Sequence, residues 1–261
     1  MSQTNSERLE ASPIPEIGEV TFAELWSSLK AGLYDFRAAP GFGLAFSAFY
    51  VATGLGLFWI GAGTFIWTLA FALGFPLVAP FAAVGLYEVS RRIEAGEPLD
   101  RRAVLGVVWR ERTRQLPWIG VILTLIFLFW SFFAHMTFAM FFGMSALTNV
   151  STSYEIYFTT NGMAMIAVQT LVGAAVAFLV YGVAVMSLPL LVDKEIDFVT
   201  AMLVSLRTVS KNKAVLGMWA LVIAGLLFVA MLPLFLGLFI ALPVLGHATW
   251  HLYRRALYHP V

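Results

Sequence analysis

Lys and Arg are absent from three long stretches of the chain, Ala38 to Ser90, Gln115 to Asp193 and Ala214 to Tyr253. A helix crossing the hydrocarbon of a bilayer needs about 20 apolar residues, so each stretch is too long for one span and suits two. The pattern predicts six transmembrane helices in three hairpins, over Phe42–Gly61, Thr64–Ser90, Trp118–Leu147, Gly162–Val192, Val215–Met231 and Leu234–Tyr253. Pro233 is the one turn signal between the last two. A single helix there would be about 60 Å long, twice the bilayer, so the hairpin is preferred.

A shorter amphipathic segment precedes each hairpin. Thr21 and Glu24 have capping-box spacing, and Phe22, Leu25, Trp26, Leu29, Leu33 and Phe36 recur at helical intervals against Glu24, Lys30 and Arg37. Asp100 is placed to cap a helix whose Val104, Val108 and Trp109 oppose Arg101, Arg102, Arg112 and Arg114. Asp197 is placed to cap a third, with Val199, Met202, Leu203 and Leu206 as its apolar stripe. All three are expected to lie in the membrane interface. The order of interfacial helix, span, tip and span suggests a threefold repeat over 21–99, 100–196 and 197–255, and Pro80 to Arg91-Arg92 has the spacing of Pro243 to Arg254-Arg255. The expected fold is an all-α integral membrane protein with one six-helix membrane domain, 21–261. Residues 1–20, acidic and without an apolar run, read as a mobile cytoplasmic tail.

Composition agrees: 60% of residues are hydrophobic, 12% are charged and the mean hydropathy is +0.85, which excludes an ordinary soluble domain. All sixteen Lys and Arg flank the hairpins, and the tips carry one charged residue, Glu155. By the positive-inside rule both termini are expected in the cytoplasm, in a bacterial inner membrane. Cations interleaved with acids argue against nucleic acid as a partner, and the absence of Cys excludes disulfides and thiolate metal sites.

Few ionisable residues fall inside the spans, and an intramembrane one is a functional candidate by default. His135 alone lies deep; Glu88, Asp193, His247 and His251 sit near inner ends. His247 and His251 share a helix face, so they are candidate metal or haem ligands, or they bond the last carbonyls of their helix. Matching the two Pro-to-Arg-Arg segments puts Glu88 opposite His251. A cytoplasmic-face polar cluster of Glu88, Arg91, Arg92, His251 and Arg254 is expected, with Glu88 bound to its own arginines or to His251. No hydrolase motif or phosphate-cradling loop is present, so no catalytic residue and no cofactor is expected. The third span carries Phe on every side. Phe129, Trp130, Phe133, Phe138 and Phe141, with Tyr154 and Tyr157 in the following loop, are expected to contact lipid, a quinone-like molecule or another membrane protein.

The segments Ala31–Pro40, Pro80–Arg92, Asp197–Met202 and Leu242–Arg255 resemble a proteobacterial family of predicted integral membrane proteins of unknown function. Some members are labelled cytochrome c oxidase subunits, which implies an association with respiratory complexes. Four His in the whole chain are too few for an oxidase core subunit. The function expected is therefore a non-enzymatic accessory, assembly or scaffold subunit bound to another membrane complex; the alternative is a channel or carrier for a small neutral or lipidic molecule.

Overall fold

A computed structural model describes residues 12–59, 65–143 and 154–258. The remaining residues, with the first tip, the start of the long tip and the side chain of Tyr154, lie outside the described set. Within it every regular element is helical. The order is α1 (Phe22–Ala38), α2 (Pro40–Trp59), α3 (Phe65–Ala95), α4 (Arg101–Glu111), α5 (Leu116–Phe142), a 3-10 turn at Tyr154–Phe158, α6 (Thr160–Ala184), α7 (Ser187–Asp193), α8 (Phe198–Lys211), α9 (Lys213–Met231) and α10 (Leu238–Tyr258).

The three short amphipathic helices start where their caps predict. Thr21 Oγ1 accepts from the Glu24 N–H at 3.2 Å while Glu24 Oε2 accepts from the Thr21 N–H at 2.7 Å, completing a capping box. Asp100 accepts from the Ala103 N–H at 3.3 Å, and Asp197 from the Thr200 N–H at 2.9 Å. The Thr200 hydroxyl, and after it the Thr200 N–H, hold the Asp197 carboxyl below its ordinary pKa. α1 and α2 meet at a 99° bend. Pro40 causes it, because the residue before a proline is driven from helical backbone, and Ala39 has φ −136° and ψ 54°.

Among the described residues three helical runs are long and apolar enough to cross a membrane: Leu116–Phe142, Thr160–Asp193 and Lys213–Met231. The bent pair Phe22–Ala38 and Pro40–Gly56 is a fourth candidate if counted as one span. The run from Thr160 is broken at Val185–Met186, where Pro189 can neither donate to the Val185 carbonyl four residues back nor avoid crowding it. Ser205 of α8 repairs the break, donating to the Gly182 carbonyl at 2.6 Å and accepting from the Met186 N–H at 3.1 Å.

Packing is densest at the end that carries the charged connections. There α10 touches α1, α2, α3 and α9, and α3 touches α4, α5 and α7. Trp219, Trp250, Tyr253, Leu190 and Leu252 are fully buried. Residues 12–20, expected as part of a mobile tail, instead run extended across this face. Asn212 receives the Val20 N–H at 2.8 Å and donates to the Gly18 carbonyl at 3.0 Å, and Gly18 donates to the Ala256 carbonyl at 2.8 Å. The side chain of Val20 is buried, and its backbone could not be buried unpaired.

α1 turns a small and polar face inward, Ser28, Gly32 and Asp35, and leaves Phe22, Trp26 and Tyr34 exposed. α4 exposes Leu105 and Trp109 and α8 exposes Val199 and Leu203, as helices lying at a lipid surface would. Gly32 permits the α1–α10 approach: a Cβ there would stand 2.5 Å from the Ala248 nitrogen and 2.6 Å from the Val244 carbonyl oxygen. Gly32→Ala is expected to destabilise the protein by about 1–3 kcal/mol through overpacking against backbone that cannot yield. Gly41→Ala, where a Cβ meets nothing within 4 Å, should be neutral or stabilising; thermal unfolding of the two variants in one detergent checks the contrast.

Candidate functional site

Where α1, α3 and α10 converge, four polar side chains form a continuous hydrogen-bonded line. His251 Nε2 lies 2.7 Å from Asp35 Oδ2, Ser90 Oγ donates to the same Oδ2 at 2.7 Å, and His247 Nδ1 lies 2.8 Å from Ser90 Oγ. The single hydroxyl proton of Ser90 points to Asp35, so His247 carries its proton on Nδ1 and donates it to Ser90. Asp35, Ser90 and His247 are buried, at 2%, 0% and 0% exposure, while His251 is partly accessible. The line thus runs from the solvent edge of the bundle into its core. Helical geometry assembles it: Ser28, Gly32 and Asp35 fall on one face of α1, and His247 and His251 are one turn apart on α10.

The same end of α3 anchors two further groups. Glu88, 1% exposed, binds Arg91 Nε at 2.8 Å and Arg92 Nε at 2.6 Å. Arg91 also binds Glu97 at 2.9 Å, and its guanidinium holds the Glu97 carboxyl below the usual carboxylate range. Glu97 reaches back because Gly96, at φ +65°, ends α3 in the left-handed conformation and lets the Glu97 N–H bond the Arg92 carbonyl. On the other side Glu94 accepts from Trp250 Nε1 at 2.9 Å and Arg254 Nε at 3.1 Å, while Asp193 accepts from the Tyr253 hydroxyl at 2.8 Å. Beside these groups lies a cleft of about 880 Å³ whose walls include Arg91, Arg92, Arg110, Arg114 and Lys194 against Glu88, Asp193 and Glu195. Arg114 bridges Glu111 and Glu195, tying the start of α5 to the α7–α8 connection.

The polar residues singled out from the sequence are distributed over this end in separate groups. Glu88 is held by Arg91 and Arg92 and does not meet His251, whose partner is Asp35. Arg254 joins the Glu94 group. His247 and His251 each direct a ring nitrogen to a different partner, and no group of three metal-capable side chains occurs among the described residues. His135 Nδ1 meets the Ser131 carbonyl of its own helix at 2.7 Å. Of the aromatic residues named for contact, Phe129 is 75% exposed. Trp130 instead lies against Gly173 of α6 and stacks on Phe133, and Phe138 packs on Phe142. Phe141 and Tyr157 are half-buried.

Sequence reasoning missed Asp35, Ser90, Glu94 and Glu97. Asp35 had a signal, since it shares a helical face with the small residues Ser28 and Gly32, a face suited to close contact with another helix. Ser90 had none.

These buried polar groups, set among apolar helices of membrane-crossing length, define a helical integral membrane protein. Residues 67–193, just under half of the chain, are similar to the family described as "Predicted integral membrane protein (DUF2189)", a family of unknown function. Neither the curated proteins nor the solved structures contain a match to the chain.

Asp35→Ala is expected to cost about 2–4 kcal/mol, because it leaves Ser90 and His251 without their shared acceptor in a buried site. Asp35→Asn, which keeps one oxygen, should cost about half as much by the same argument. Denaturant unfolding followed by tryptophan fluorescence would resolve the two.

Proposed function

We propose that the protein is a non-enzymatic scaffold or accessory subunit that crosses a bacterial inner membrane six times in three hairpins, with both termini cytoplasmic, and binds another integral membrane protein. The gathering of the charged connections at one end of the bundle supports the topology. There Arg114 meets Glu195, Arg254 meets Glu94, and the extended segment before α1 is bound by Asn212 and Lys211. Contacts between α2 and α3, α5 and α6, and α9 and α10 fit the hairpins. The non-enzymatic reading is supported by the sealing of Ser90 and His247 from solvent and by their order. A hydrolytic triad needs the imidazole in the middle, whereas here the serine bridges the acid and the imidazole.

One observation carries the partner-binding role. Trp118, Val121, Leu125, Phe129, Phe132, Met136 and Met140 are all exposed and recur every three or four residues, an unburied stripe along the length of α5. Its centre is aromatic, with Phe129 and Phe132 at 75% and 69% exposure. Lipid tails ask only for apolar surface, whereas aromatic anchors on a rigid helix are the residues that dominate protein interfaces. The association with respiratory complexes that the sequence resemblance implies makes such a complex the partner to look for.

Two measurements test this reading. The chain has no Cys, so an impermeant maleimide on spheroplasts should label Phe158→Cys and spare Thr113→Cys; labelling of both would overturn the topology. A photo-crosslinking residue at Phe132 should capture one defined membrane protein from native membranes. Adducts to lipid alone, at Phe129, Phe132 and Met136 alike, would overturn the partner.

A further inference from the structure

Among the described residues, five basic and three acidic side chains line the open cleft of about 880 Å³ beside the end of α3. Each of the three acids already has a partner. Glu88 binds Arg91 and Arg92, Glu195 binds Arg114, and Asp193 accepts from the Tyr253 hydroxyl. Two of the cations are left over. Arg110 comes only to 3.8 Å from Glu111, which Arg114 already binds at 3.0 Å, and Lys194 comes only to 3.8 Å from Asp193, with the Tyr258 ring at 5.1 Å. Neither donates a side-chain hydrogen bond to a described residue at those distances. The backbone that presents Lys194 is fixed: the Ser12 N–H bonds the Glu195 carbonyl at 2.8 Å, and the Glu195 N–H bonds Ser12 Oγ at 3.2 Å. Two exposed tryptophans give the height of the cleft. Trp109 precedes Arg110 at the end of α4, and Trp118 follows Arg114 in the first turn of α5. Exposed Trp settles where lipid tails meet headgroups. Beyond Lys194 the chain enters α8, whose Val199 and Leu203 are exposed like the apolar face of α4.

We propose that this cleft binds the phosphate of an anionic phospholipid through Arg110 and Lys194, leaving the acyl chains in the adjoining leaflet. Charge sets the first limit, because the acids of the cleft are occupied and the spare donors are cationic. A phosphodiester offers several acceptor oxygens at once, which suits the guanidinium fork of one residue and the ammonium of the other. Height sets the second: basic pockets between membrane helices at headgroup level are sites for anionic headgroups. The walls set the third, since Val107 and Val192 line the same cleft and give glycerol and the first methylenes an apolar surface. A zwitterionic lipid brings its own ammonium to these cations and is disfavoured. The volume is that of a small-molecule site rather than of a few waters. Neither the exposed stripe on α5 nor the side of the membrane that this end faces enters into the site.

The test uses the full-length protein in a nonionic detergent, titrated with phosphatidylglycerol and with phosphatidylcholine and read by native mass spectrometry. Saturation near one phosphatidylglycerol per chain is expected, with phosphatidylcholine bound about 5-fold or more weakly. Arg110→Gln and Lys194→Gln each remove a cation without a hydrogen-bonded partner, so both should melt like the parent. Each should weaken phosphatidylglycerol binding about 5-fold, and the pair together about 10- to 30-fold. Arg110→Lys with Lys194→Arg keeps both charges and should retain the lipid. Arg37→Gln, which removes an exposed cation of α1 outside the cleft, should leave binding unchanged. An excess of inorganic phosphate or glycerol phosphate should not displace the lipid. Four results would each overturn the proposal: equal binding of the two lipids, an unweakened double Gln variant, an equal loss in Arg37→Gln, or displacement by the soluble phosphates.

Discussion

The carboxylate of Asp35 holds three helices together, and much of the rest of the fold depends on how it is satisfied. Buried among apolar neighbours, it would be prohibitively costly alone, yet one of its oxygens meets both the Ser90 hydroxyl and the His251 ring at 2.7 Å. Those partners sit on α3 and α10, so pairing the acid also fixes α1 against them. Gly32, one turn earlier, lets the backbones of α1 and α10 come close enough for Asp35 to reach. A polar contact and a steric one therefore specify the same helix crossing, the kind of agreement between levels that favours a unique fold. Farther out, α5 and α6 are joined by Gln169, whose Nε2 donates to the Ala134 carbonyl at 3.0 Å and to Thr137 Oγ1 at 2.8 Å.

A gradient along the bundle follows. At the charged end, ion pairs, capped helix starts and the extended segment at 12–20 surround a tightly packed core that includes Trp219, Trp250 and Tyr253. Toward the other end, large apolar side chains such as Leu171, Phe132, Met140 and Leu221 are exposed. In water such surfaces would drive aggregation, but hydrocarbon accepts them without penalty. The charged cleft belongs to the packed half of the molecule. Chemistry needs positioned groups, and only the packed half positions them.

The elements were legible in the sequence to different degrees. Capping spacings located α1, α4 and α8, because a cap is a local bond between residues three apart. Apolar runs located the long helices, and Pro40 and Pro189 mark the bend before α2 and the break before α7. The site was less legible. Glu88 with Arg91 and Arg92 could be read from i, i+3 and i+4 spacing, but Asp35 meets His251 across 216 residues and Ser90 meets His247 across 157. Spacing arguments do not reach that far. The bound segment at 12–20 escaped for the same reason: its partners are Glu195, Lys211, Asn212 and Ala256.

Hydropathy, helix caps, prolines and the placement of cations were determined by the sequence alone, since each acts over one turn of helix or through the preference of a side chain for water or lipid. Which face of α1 turns inward, which aromatic of α5 meets α6 and which looks outward, and which side chains His247 and His251 meet were decided only by tertiary packing. Those outcomes depend on distances between helices that no local pattern encodes, and burial makes the wrong pairing too costly to persist.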